Sequence, residues 1–188
     1  MGAVESLDAQ RLPEGALADV EADTYWCLTK LLDHIQDHYT AGQPGLQRQM
    51  YRLEELIRRV DSPLHGHLAD EGVGFSFFSF RWMNNLLMRE LPLQAVVRLW
   101  DTCLAEDEAG HGFEGFHVFV CAAFLKHFSA LLVGSSGEEL MTLLQELPTS
   151  TWGPEDVETL LSEAFVLSSL YRDSPAQLTQ HSAAAPHD

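Results

Sequence analysis

Apolar residues recur at spacings of three and four along most of this chain, and no stretch alternates convincingly with a period of two. That periodicity is the signature of helices that bury one face. Tyr25, Leu28, Leu32, Ile35 and Tyr39 follow it after Asp19, a plausible N-cap, and predict a first amphipathic helix. Gly42, Pro44 and Gly45 mark a turn over 40–45, after which Leu46, Met50, Leu53, Leu56 or Ile57, and Val60 predict a second helix. Ser62-Pro63 reads as the N-cap and first position of a short third helix through Asp70. Phe75 to Glu90 predicts a buried helix, and Pro92 forces a new start for the stripe Val96, Val97, Trp100 and Leu104. The acidic, Gly-rich stretch 106–115 reads as a loop. Helices are then expected over 116–132, 138–147 and from Gly153-Pro154 to Tyr171. No internal repeat is present. The expectation is an all-α, multi-helix single domain over 19–172, with a flexible lead-in at 1–18 and a disordered polar tail at 173–188.

Within that pattern one segment is chemically odd. Phe78-Ser79-Phe80-Arg81-Trp82-Met83-Asn84-Asn85-Leu86-Leu87-Met88-Arg89-Glu90-Leu91, followed by Arg98-Leu99-Trp100-Asp101, sets ionisable groups among residues that are otherwise apolar almost all round. Such a helix is normally buried, and a buried charge is costly unless paired. On a continuous helix Trp82 and Arg89 share a face, whereas Glu90 lies beside Arg89 and must look elsewhere. Asp101 is a candidate partner for either Arg81 or Arg89. These residues either brace two crossing helices from within or buttress and contact a partner surface. The residues alone leave both readings open.

Charge narrows the partners. The chain of 188 residues carries a formal net charge of -17, which argues against binding nucleic acid or anionic lipid through general basic surface. Beyond Arg98 the only basic residues are Lys126 and Arg172, so the second half presents a negative surface. Cys27, Cys103 and Cys121 are odd in number and form no C-x-x-C, which fits a reducing, cytoplasmic setting. No apolar run approaches a membrane span, and direct membrane insertion is not expected. Met1-Gly2-Ala3-Val4-Glu5-Ser6 matches the loose myristoylation pattern without a basic cluster to reinforce it.

No self-sufficient chemistry emerges. His34 and His38, with Asp33 and Asp37, have helical metal spacing but no third ligand, and read as a solvated helix face. His65-Gly66-His67 and His111 with His117 are equally weak as zinc signals. Phosphate-binding loops, dinucleotide-binding loops and nucleophile elbows are all missing from the sequence. No catalytic, metal or cofactor-binding residue is assigned.

The string F-x-F-R-W-x-x-x-L-L-x-R-E-L over Phe78 to Leu91, and R-L-W-D at Arg98 to Asp101, resemble TBC-domain activators of Rab-type small GTPases. Asp19-Val20-Glu21-Ala22-Asp23-Thr24-Tyr25-Trp26-Cys27, Gln43-Pro44-Gly45, Leu53-Glu54-Glu55-Leu56 and Phe116 to Leu125 extend the resemblance, most closely to the branch called member 22. It implies an all-α fold, a GTP-bound Rab as partner, a role in vesicle trafficking, and a cytoplasmic protein that reaches endomembranes through that Rab. Arg81, Trp82, Arg89, Glu90, Trp100 and Asp101 are the family-motif residues, structural or partner-facing. The family mechanism supplies an arginine from I-x-x-D-x-x-R and a glutamine from Y-x-Q-G. Neither motif occurs in this sequence. The resemblance therefore implies the C-terminal part of such a domain, inactive alone, with exposed apolar surface where the other part would meet it. The alternative is a non-catalytic Rab- or protein-binding module of the same origin.

Overall fold

Residues 117–125 are buried without exception, and a helix apolar all round belongs at the centre of a fold. In the computed structural model, which describes residue 13 and residues 15–106 and 112–172, this central helix runs over His117–His127. Ten α-helices are found among the described residues, with no strand, so the fold is all-α. They are α1 Ala16–Leu32, α2 Pro44–Val60, α3 Ser62–Asp70, α4 Ser76–Asn84, α5 Leu93–Ala105, α6 Gly112–Gly115, α7 His117–His127, α8 Ser129–Val133, α9 Gly137–Gln145 and α10 Pro154–Tyr171.

α2 and α10 pack on α7, α3 and α4 pack on α2, and α5 packs on α10. The stripe read from α2 is the stripe it buries: Leu46, Leu53, Leu56 and Ile57. Phe78, Trp82 and Phe124 join α4 to α7, with ring centroids 4.9 Å and 5.1 Å apart in succession. Trp82 is fully buried.

Several boundaries differ from the sequence expectation for local reasons. Asp61, not Ser62, caps α3, its carboxylate accepting from the Leu64 N–H at 3.1 Å. Asp19 lies inside the first turn of α1 rather than capping it, where a carboxylate still suits the helix dipole. α1 ends at Leu32, and a 3-10 turn over Gln36–His38 replaces its expected continuation to Tyr39. That turn rotates His38 inward, so it is buried rather than part of a solvated face. The expected helix over 116–132 divides at Phe128 into α7 and α8. Residues 1–12 and 14 of the lead-in, the tail, and 107–111 of the acidic loop lie outside the described residues, while residues 16–18 of the expected lead-in already belong to α1.

The 3-10 turn also fixes a glycine. A Cβ on Gly45 would lie 2.1 Å from Asp37 Oδ1 and 2.4 Å from His38 Cδ2. Asp37 is held by Arg48 at 2.6 Å and has little freedom to retreat. Gly45→Ala is expected to cost about 1–3 kcal/mol, the usual penalty for overpacking, as read by urea denaturation.

Candidate functional site

The segment after α4 is where the unusual sequence becomes unusual geometry. The expected continuous helix to Glu90 stops at Asn84, and Leu86 and Leu87 take φ of 49° and 59°. Left-handed backbone is unfavourable for a bulky side chain. The turn closes through Leu87 N–H donating to the Trp82 carbonyl, 3.0 Å, a six-to-one bond that usually surrounds a glycine. Burial offsets the strain: Leu86 is 3% exposed and Leu87 fully buried. Two long-range bonds fasten the turn. Trp100 Nε1–H donates to the Leu86 carbonyl at 2.9 Å, and the Tyr39 hydroxyl donates to the Asn84 carbonyl at 3.0 Å.

Breaking the helix redistributes the charges. Arg81 makes a two-point ion pair with Glu90, Nε to Oε1 at 2.6 Å and Nη2 to Oε2 at 2.8 Å. Nη2 also donates to the Gln145 carbonyl at 2.7 Å, at the C-terminus of α9, where a cation suits the helix dipole. Thr149 donates its hydroxyl to the Glu90 carbonyl. Arg81 thus ties α4, the turn and the end of α9 together. Arg89 and Asp101 are exposed, and among the described residues neither makes an ion pair. Asp101 is therefore not the counter-ion for either arginine. Trp82 lies in the core, and Trp100 is half-buried beneath the turn.

Beside this turn lies the largest mismatch between sequence and burial. None of the 17 residues of α1 is buried. Tyr25 and Trp26 are 64% and 68% exposed, although the stripe that starts at Tyr25 alone predicts an apolar helix face turned inward. Leu28, Leu31 and Leu32 of α1, Tyr39, Leu86, Met88 and Trp100 line a largely apolar groove of about 260 Å³. Asn84, Asn85 and exposed Met88 stand on its turn side. An apolar face rimmed by polar residues marks an interaction surface.

The two buried cysteines are not ready nucleophiles. Burial pushes the thiols of Cys103 and Cys121 well above their ordinary range, where they stay protonated and inert. Burial lowers His117, whose ring lies 3.7 Å from Cys121 Sγ, to about 3. No three metal-ligating side chains converge among the described residues, and no helix there is long and apolar enough to cross a membrane.

The all-α fold and the sequence together match a known class of domain. The Rab-GTPase-TBC domain family matches residues 16–133, and the chain belongs to that family. Among curated relatives, TBC1 domain family member 22A of Homo sapiens is 47% identical over 92% of this chain. GTPase-activating protein gyp1 of Schizosaccharomyces pombe is 50% identical over 91% of it. In each case the chain spans only 33% of the relative's length. The crystal structure of the Ypt/Rab-GAP domain of Gyp1p superposes with a TM-score of 0.81 at 48% identity, covering 87% of this chain and 50% of that one.

Proposed function

We propose that this chain supplies the C-terminal part of a domain that activates GTP hydrolysis on GTP-bound Rab proteins. The observation that carries the reading is the α1 face. Tyr25, Trp26 and Leu28 are exposed beside the apolar groove at Met88, in a chain spanning half of the Gyp1p domain. That face is where the other part of a whole domain docks. In this reading residues 19–172 form the domain portion, and the protein works in the cytoplasm, reaching endomembranes through its Rab. Arg81, Trp82, Glu90 and Trp100 hold the surface in shape, while Arg89 and Asp101 face the partner.

Phosphoryl transfer depends on positioned charge, and an arginine finger is worth roughly 10³–10⁵ in rate. Without the finger motifs this chain alone leaves single-turnover GTP hydrolysis by a Rab panel unchanged. Acceleration by the chain alone would sink the finger-less reading. Arg89→Ala separates surface from brace. It is expected to change stability by less than about 0.5 kcal/mol, while weakening association with GTP-bound Rab by roughly tenfold. A large loss of stability with unaltered association would reverse the assignment of Arg89.

A further inference from the structure

Arginines cluster on α2 of this acidic chain, and their partners are unevenly shared. Arg48 pairs with Asp37 at 2.6 Å and approaches Glu114 at 3.6 Å, while Arg58 pairs with Glu55 at 2.6 Å. Arg52 donates to a backbone carbonyl, that of Glu114, at 3.0 Å. Arg59 makes no hydrogen bond or ion pair among the described residues, and its charge is one of those that lower the Glu55 carboxyl, after the Arg58 hydrogen bond. Across a groove of about 150 Å³ from α2 stands the end of α10, where Tyr171 and Arg172 join Tyr51, Arg52, Glu55 and Arg59 in the lining, the Glu55 carboxylate being already taken up by Arg58. Arg172 is held 3.7 Å from Glu106 and donates to the Ser168 hydroxyl at 3.0 Å, which orders it without enclosing it. The result is a small aromatic-walled groove with guanidinium groups from two helices at its mouth.

We propose that this groove binds a short acidic segment of a partner protein, a carboxylate seated between Arg59 and Arg172 and an apolar neighbour against Tyr51 and Tyr171. Guanidinium forks suit carboxylates, and an arginine lacking an internal acceptor supplies that bond without breaking another. A long polyanion is disfavoured: nucleic acid or an anionic bilayer meets the field of the whole chain, net -17. A short segment stays within about a Debye length, roughly 8–10 Å, of the local arginines. The inference does not depend on Rab activation, because the groove lies on α2, α7 and α10 and shares no lining residue with the α1 groove.

The test is fluorescence anisotropy of the full chain with a short labelled peptide alternating glutamate and leucine, beside the same peptide carrying glutamine at each glutamate. The acidic peptide is expected to bind saturably and roughly tenfold or more tighter than its amide twin. Arg59→Glu with Arg172→Glu should erase that preference, while Lys30→Glu, the same change on exposed α1, preserves it. Arg59→Gln removes a side chain without an internal bond and should weaken acidic-peptide binding about threefold even if the double variant does not fold. Absent binding, equal binding of the two peptides, or equal weakening by Lys30→Glu would overturn the proposal. Capture by phosphatidylserine vesicles in preference to the peptide would also overturn it.

Discussion

Arg81→Ala lowers the unfolding free energy by about 3–5 kcal/mol, the usual cost of removing one partner from a buried ion pair. The Glu90 side chain is only 3% exposed, so its carboxylate is stranded with little water to replace the guanidinium. The same substitution removes the donor to the Gln145 carbonyl at the end of α9. Arg81→Lys keeps the charge but loses the fork that meets both Glu90 oxygens, and should cost about 1–2 kcal/mol. Urea denaturation of the three proteins at neutral pH decides the matter. A loss below about 1 kcal/mol for Arg81→Ala would mean that the pair is screened as surface pairs are.

Stability also falls by about 2 kcal/mol between pH 7 and pH 5 through His117 alone. An unfolded histidine takes its proton near 6.5, whereas burial holds folded His117 to about 3. Between those values the unfolded state carries the extra proton, so lowering the pH favours unfolding, increasingly down to the folded value. His38 contributes in the same direction. Burial lowers it, Arg48 helps, and Asp37 and Glu114 oppose. Neither of its ring nitrogens has a hydrogen-bond partner, so a charge there would be poorly met. Denaturation of His117→Gln across this range isolates the contribution: its stability should depend less steeply on pH than that of the unaltered chain. Equal slopes would show that His117 is protonated normally in the fold.

Helical periodicity made the class of the fold legible, and α2 shows why it succeeds. Leu46, Leu53 and Ile57 lie on one face, and that face is fully buried. The same reasoning misplaces His38 because it extends a 3.6-residue rotation through a segment that has left the helix. It also misses the halt at Asn84. Leucine carries no sign of left-handed backbone, and the forces that impose it come from Trp100 and the core, distant in sequence. Consequently Arg81 and Glu90, nine residues apart, could not be paired from spacing alone. They meet only because the helix ends between them. The exposure of Tyr25 was not legible in its pattern, which by itself indicates a buried stripe, and the resemblance implied exposed apolar surface without placing it. The groove between α2 and α10 left no trace in the sequence beyond its run of arginines. Its α10 side comes from Tyr171 and Arg172, more than a hundred residues downstream.

Whether this chain works as part of a Rab activator is tested most directly by a chimera. Joined to the N-terminal half of the Gyp1 domain of Schizosaccharomyces pombe, which the family resemblance expects to carry both fingers, residues 19–172 should restore accelerated GTP hydrolysis. Acceleration should disappear when the finger arginine is replaced, and should weaken when Trp26 of α1 is changed to aspartate. A folded chimera that binds GTP-loaded Rab without accelerating hydrolysis would contradict the account and leave a binding module in its place.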